Sequence, residues 1–575
     1  MRRETNLFFR NVFCYDILKI FKFYASLIFF KIRQKVTSKK LPKRAIEFKS
    51  NFKILKESII NYNYTISKEF KLITSLNSVK IDPIKKWKNL ATIKNYEVKL
   101  SFHRFYWLDF FKNNISYEDF YELFQSWFID FINESDAWHP YTSSERLTSI
   151  LYYLHLHLSR TKIIYIFKNV NIFQDYIHKT YNEILENLEY PDDLNTFNHV
   201  VNNYKGLILC GLVMDDRDLV NKSFKIMLNE LSIISDEDSF FREGSSHYHL
   251  IIYKWLIELK FLIKFFNFKI NYLDFTNFSN EISKKASFFV VKGKSLKMPF
   301  FGDISPDFTP SKLLNLIYKK NTSKYYNPKI LNHLNFFNSS NNSFIFQNYT
   351  RINKGLWTLF VKHNNCEKKY FPDHSHEDES QFIIFFDGEP LIIDSGRPNY
   401  ETKFTKDKYC LNYFHNTARL NGVSCFNNRN YPNIPNFTKY PVLLNNYNSK
   451  DCSILELQSD SIHRINFINN DKYLRRFIIN ESSIIIEDEF RLNKSSLFEL
   501  SIQFSENINF KFLNNKMKIL FNKNNLTLSS NSQIKNIVSS TYSESYNKLK
   551  NNSTLNFEKE IKSKFKNVIK IELSV

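Results

Sequence analysis

The chain has 575 residues, too many for one hydrophobic core, so two or more domains are expected. Its 43% hydrophobic and 17% aromatic content excludes a disordered chain, and six cysteines with no CxxC pair exclude a zinc ribbon or a disulfide framework. Lys plus Arg number 80 against 58 Asp plus Glu, a net charge of +22 that suits polyanionic partners, although a bias towards Lys, Asn, Ile and Phe along the whole chain offers a purely compositional origin for it.

In chain order, residues 1–45 read as a basic amphipathic segment. "FKFYASLIFFKI" (21–32) is apolar but carries Lys22 and Lys31 and is too short to span a bilayer. The start is basic, yet it has no continuous apolar core and no clear small-x-small cleavage site. The expectation is a helix packed on the domain or in peripheral contact with a membrane surface, with a signal sequence as the open alternative. Residues 46–325 read as helices. "YEDFYELFQSWFIDFIN" (117–133) repeats aromatics every three or four residues. "TSSERLTSILYYLHLHL" (142–158) opens with a Thr/Ser cap, and "SSHYHLIIYKWLIELKFLIKFF" (245–266) puts Tyr248, Ile252, Trp255, Leu256 and Leu259 on one face. Long helices joined by short polar links predict helical hairpins, stacked or in a ring.

The pattern changes in the Asn/Ser-rich stretch 320–345, and residues 340–575 read as β-structure. "LFELSIQFSE" (497–506) alternates apolar and polar residues, and "SSIIIEDEFRL" (482–492) and "KMKILFNKNNLTLSS" (516–530) are short β runs with Asn-rich turns. "QFIIFFDGEPLIIDSG" (381–396) sets two apolar runs around Asp-Gly, the signal of a hairpin. Many short strands in succession predict an antiparallel sandwich.

Chemistry-bearing residues cluster in a few places. "HSHEDES" (374–380) holds His374 and His376; Asp394 ends the hairpin, and His415 follows in "YFHNTARLNG". His376, Asp394 and His415 are ligand types suited to zinc, and a sheet can bring them together; the alternative is a turn-forming Asp and polar surface histidines. Asn198 and His199 open a helix in "NTFNHVVNNYKG" (195–206), where an Asn is most simply a cap. His247, Tyr248 and His249 lie in "FREGSSHYHLII" (241–252), where Tyr248 heads an apolar face and reads first as core. "AWHPYTSSER" (137–146) offers either a sugar-stacking platform beside Arg146 or a helix start at Pro140. His155 and His157 read as structural. No run of five or more basic residues marks a nucleic-acid tail, and no nucleic-acid partner is expected.

These segments together resemble the heparinase II/III-like family of bacterial polysaccharide lyases. "HSHEDESQFIIFFDGEPLIIDSG" is similar to the family's HxH stretch leading into a hairpin that ends in Asp-x-Gly. "YFHNTARLNG" resembles its His-Asn-Thr segment, "NHVVNNYKGLILCGL" its Asn-His helix and "FREGSSHYHL" its Tyr-His helix start; "FHRFYWLDFF" and "AWHPYTSSERLTSIL" resemble upstream segments. The resemblance implies an α + β multidomain chain: an incomplete (α/α) toroid, then an antiparallel β-sandwich, with the active site between them. It implies β-elimination at a uronic acid of an acidic polysaccharide, of bacterial envelope, capsule, O-antigen or glycosaminoglycan type. Such a reaction requires neutralisation of the carboxylate, a base for the C5 proton and an acid for the leaving oxygen. By the resemblance Asn198 neutralises the carboxylate with His199 beside it, Tyr248 is the catalytic Tyr with His249 adjacent, and His374 assists at the substrate. His376, Asp394 and His415 correspond to the zinc triad. Tyr400 and Tyr409 are candidates for a second Tyr. Arg146 and Arg419 are assigned to acidic sugar from charge and position. The acidic run "EDES" and the "SSH" flank of Tyr248 depart from the family pattern. A periplasmic or envelope location is expected, and the other readings are a non-catalytic carbohydrate-binding or assembly protein on the same scaffold and a zinc hydrolase.

Overall fold

Helices fill the first half because their apolar faces recur at helical spacing and their ends are capped. Tyr117–Phe131 starts at Ser116, whose side chain accepts from Asp119 N, with Glu118 and Asp119 in the first turn. It buries Phe120, Leu123, Phe124, Trp127, Phe128 and Phe131. Pro140–His157 begins two residues before the Thr expected to cap it. Pro140 takes the first helical position, where its missing N–H costs nothing, and Thr142, Ser143 and Ser144 are buried inside the helix. Asn198–Met214 and Ser246–Phe265 are buried on nearly all sides, as helices at the centre of a larger body must be. With Asn171–Glu186, Arg217–Ile234 and Tyr272–Phe288 they form the incomplete (α/α) toroid.

This computed structural model describes residues 41–574, except 56–61, 63, 85, 112–114, 194, 270–271, 319–327, 364–373, 379, 401–407, 423–441, 460–471, 494, 507 and 514–515, together with positions 25, 28 and 32. The amphipathic segment expected over residues 1–45 lies almost wholly outside them. Among the described residues no helix is long and apolar enough to cross a membrane.

Helix Pro328–Phe337 gives way at Ser343 to two antiparallel sheets. One runs, in spatial order, through Ile534–Ser545, Lys548–Ile561, Ser496–Phe504, Glu389–Ile392, Phe382–Phe386, Trp357–Lys362, Tyr349–Lys354 and Ser343–Ile345, with Ala418–Leu420 paired to Ser496–Phe504. The other runs through Val442–Asn448, Cys452–Ser459, Lys472–Asn480, Ser483–Arg491, Lys564–Leu573, Asn524–Ser530, Lys516–Phe521 and Asn509–Leu513. The hairpin read from "FFDGEP" is present: Phe386 pairs with Glu389, and Asp387 (φ 50°) and Gly388 (φ 72°) both take the positive φ of a type I′ turn.

Strand Phe382–Phe386 explains how the two halves join. Its five apolar residues are all buried because both faces are covered. Phe382, Ile384 and Phe386 pack in the sandwich core, while Ile383 and Phe385 belong to the helical core with Phe360 and Tyr349. Each such side chain stabilises the fold by roughly 1.5–3 kcal/mol. The first sheet is thus a shared wall between toroid and sandwich, and the histidine loop lies just before this strand.

A candidate active site at the seam between toroid and sandwich

Two tight approaches set the seam. Gly244 (φ +74°) precedes helix Ser246–Phe265, and Gly302 (φ +70°) follows the toroid's last long helices. A Cβ on Gly302 would stand 2.4 Å from the His374 carbonyl oxygen and 2.6 Å from that of Gly244, so only glycine lets these three strands of chain meet. Asp303 N then donates to His374 O at 3.0 Å, and Ser245 Oγ to Asp303 O at 2.7 Å.

Around this crossing a buried network forms. Asp303 Oδ2 lies 3.1 Å from His374 Nδ1 and accepts from Arg397 Nη1 at 2.7 Å; its Oδ1 lies 2.8 Å from His376 Nε2. One carboxylate therefore ties the two histidines of the HxH motif together. On its other edge His374 Nε2 is 3.0 Å from Asn198 Nδ2. An amide nitrogen on one side and a carboxylate on the other make Nε2 the acceptor and Nδ1–H the donor. Asn198 is not a cap: it is the first helical residue, and its backbone N and side-chain Nδ2 donate to the two oxygens of Glu243 at 2.6 and 2.7 Å.

Tyr248 stacks on His374 with ring centroids 3.6 Å apart and 12° between planes, and its hydroxyl is 2.9 Å from that of Tyr400. Ser245 places it by capping the helix at Tyr248 N, 3.1 Å away. Arg397 lies over the Tyr400 ring at 4.3 Å. A cavity of about 230 Å³ opens here, lined by residues that include Tyr141, His199, Tyr248, Asp303, His374, Arg397 and Tyr400, with Arg104, Glu97 and Asp307 on its far wall. His199 stands on Tyr141 and Phe197, with ring centroids 4.6 and 4.8 Å away, and its Nδ1 is 2.7 Å from Glu189 Oε1. Burial would raise the Glu189 carboxyl, but His199 and His139 beside it hold it down at about 2. Burial pushes the Tyr248 hydroxyl well above its ordinary value, and Tyr400 likewise. For both hydroxyls desolvation is the largest cause of the shift. A larger cavity along the same seam, about 700 Å³ and lined by Lys294, Lys548 and Lys550 among others, contains none of these histidines.

Behind the cavity His376, Asp394 and His415 come together: one ligand atom from each lies within 4.8 Å of the others, all buried. The hairpin and the His-Asn-Thr segment achieve this through Asn416, whose Nδ2 donates to Phe382 O and Ile393 O and whose backbone N donates to Gln381 Oε1. Asp394 accepts from Gln381 Nε2 and Gly396 N, and its Oδ2 is 3.0 Å from His415 Nδ1. His376 Nδ1 and His415 Nε2 are buried without a hydrogen bond. Two orphaned imidazole nitrogens beside a carboxylate fit a divalent cation. Asp303, His376 and Cys410 make a second such group.

Not every expected residue reaches the cavity. Asn198 contacts His374 rather than the open space, and both its amide hydrogens are engaged. Arg146 is fully buried, its guanidinium 4.2 Å from the Trp127 ring centre and 4.7 Å from that of Trp138, donating to His103 O; it is a core cation, unavailable to sugar. His249 packs against Phe240, Phe241 and Phe289, where burial lowers it to about 3. Arg419 is held on the sandwich by Ser501 and Glu499. Tyr409 bonds Thr541, so of the two candidates Tyr400 is the one at Tyr248. Of the "EDES" acids Glu377 and Asp378 are buried, and both Asp378 oxygens accept from Lys362 Nζ at 2.9 Å, while Glu379 lies outside the described residues. Asp303, Glu243, Glu189, Arg397 and Cys410 escaped the sequence reading. Glu243 stands inside a quoted motif and Arg397 directly follows one, whereas Asp303 offered only the Gly-Asp of "FGDISP".

The comparisons agree with this layout. Residues 342–572 match the family described as heparinase II/III-like, C-terminal. A crystal structure of heparinase III superposes with a TM-score of 0.63 at 15% identity, covering 82% of this chain and 76% of that one. A heparinase III gene product gives 0.58 at 16% identity, over 85% and 80%. The heparan sulfate lyase HepC from Pedobacter heparinus gives 0.54 at 14% identity, over 93% and 83%. No curated protein matches the chain by sequence. The histidine loop, the hairpin and the strands behind them thus lie within the residues that match the heparinase II/III-like C-terminal family, on a chain whose toroid-and-sandwich fold is similar to that of heparinase III.

Proposed function

We propose that this protein is a polysaccharide lyase that cleaves a uronate-containing polymer by β-elimination. The observation that carries the reading is the meeting of Tyr248, His374, Tyr400 and His199 at one cavity between toroid and sandwich. The C5 proton of a uronate is weakly acidic, and removing it requires the neighbouring carboxylate to be neutralised. Arg397, beside Tyr400 and anchored by Asp303, is the cation nearest the two tyrosines, and Arg104 supports it from the far wall, anchored by Asp307. His199, with Nδ1 fixed by Glu189, is the group suited to accept the C5 proton. Tyr248, kept protonated by burial, is suited to give its proton to the leaving oxygen, and Tyr400 to restore it through their hydroxyl contact. His374 supports the Tyr248 ring by stacking, and Asn198 and Asp303 hold His374.

His376, Asp394 and His415 would hold zinc, which would supply a fixed charge that organises the HxH loop and the hairpin end. The heparinase III and heparan sulfate lyase folds support an acidic polysaccharide as substrate. The net charge of +22 supports the same partner, and a periplasmic or envelope location accords with a bacterial envelope polymer.

Incubating the purified protein with a panel of uronate polymers should release an unsaturated product that absorbs in the ultraviolet. Tyr248→Phe should abolish that product while leaving the melting temperature close to wild type. A Tyr248→Phe protein with full activity would remove Tyr248 from the reaction, and saturated products would show hydrolysis in place of elimination.

A further inference from the structure

His376 stands in two donor sets. Ligand atoms of His376, Asp394 and His415 lie within 4.8 Å of one another, and so do those of Asp303, His376 and Cys410. A buried cysteine is most often a small apolar filler. Cys410 has other surroundings: its neighbours are the His376 imidazole and the Asp303 carboxylate, and all three are buried. The turn that carries it is tied to the histidine loop, since Cys410 O accepts from Glu377 N at 2.9 Å. The second observation is the placement of His376, a side chain 2% exposed whose Nε2 lies 2.8 Å from Asp303 Oδ1, which leaves its other ring nitrogen, Nδ1, for a second set.

The geometry points to a thiolate-bearing cation site made of Asp303, His376 and Cys410, sharing His376 with the Asp394–His415 set. On binding, the metal–sulfur bond forms as the thiol proton leaves to solvent, and one divalent ion balances the thiolate and the Asp303 carboxylate. Sulfur with nitrogen and oxygen selects zinc, cobalt or cadmium over magnesium or calcium. Asp303 gives this site a consequence for the cavity. Its Oδ1 faces the ion while Oδ2 holds His374 and Arg397, so occupancy fixes the carboxylate that positions both.

The test uses the full-length protein and does not depend on any polymer. X-ray absorption of the zinc-loaded wild type should show a sulfur shell at about 2.3 Å; a shell of nitrogen and oxygen alone would overturn the site. After cobalt exchange a sulfur-to-cobalt charge-transfer band is expected in the near ultraviolet. Cys410→Ser should lose that band, and a band that survives would assign the sulfur to another cysteine and overturn the site. The Asp394→Ala, His415→Ala double variant should keep the band, because the thiolate set stands without those residues; loss of the band there would overturn the two-set arrangement.

Discussion

Asp303 shows most about how single residues shape the cavity. It is 1% exposed and uses both oxygens, on His376, His374 and Arg397. Asp303→Asn keeps the shape but puts an amide where two donors need an acceptor. Losing such an orienting partner typically costs about 10–100-fold. We expect kcat to fall by that much with a smaller change in KM, and steady-state rates on the cleaved polymer would measure it; an unchanged kcat would remove the positioning role. Tyr248 and His374 were legible because each stands in a short motif, "FREGSSHYHL" and "HSHEDES", even though the flanks of both depart from the family pattern. Asp303 was not, because an Asp after Gly in a loop is what any turn offers, and its partners lie more than seventy residues away.

At the level of elements, the seam depends on backbone contact. Gly302 has φ +70° and lies against two carbonyl oxygens, so Gly302→Ala combines strain with a clash. A side chain forced into that conformation costs about 1–3 kcal/mol. Urea denaturation should show a loss of that order or more, and the displaced His374 should cost activity as well. A Gly302→Ala protein as stable and active as wild type would show that the approach is not tight. Elements themselves were largely readable. The Asp-Gly hairpin and the alternating strand Ser496–Phe504 follow from local pattern. The start of Pro140–His157 did not, because Thr142 and Ser143 look like caps until tertiary packing buries them against neighbouring helices. The same burial turned Arg146 from an expected sugar ligand into a core cation.

Across the whole molecule, buried histidines govern the response to acid. Burial holds His247 and His249 at about 3 and His363 at about 4, and lowers His103 well below its ordinary value. An unfolded His titrates near 6.5, so as pH falls below that value the unfolded chain takes protons that the folded chain refuses. Each such group removes up to about 1.4 kcal/mol of stability per pH unit. Asp236, raised to about 6 by burial, acts in the opposite sense between about 6 and 3.8, and burial raises Glu97 and Glu258 as well, but these three carboxyls oppose five imidazoles, His139 being lowered too. The melting temperature should therefore drop between pH 6.5 and 5, and His249→Phe should flatten the slope. A melting temperature constant over that range would contradict the burial of these rings as neutral groups.

Periodicity, turn chemistry and the order of short motifs are local properties, and from them the sequence by itself determined a helical half, a β half, and a histidine loop that leads into an Asp-Gly hairpin. Only the tertiary structure decided which groups meet. Burial and contact depend on residues far apart in the chain, so it was folding that set Asp303 between the two histidines and Tyr400 against Tyr248. It likewise brought Cys410 beside His376, and withdrew Arg146, His249 and Arg419 from the cavity their charge and position had suggested.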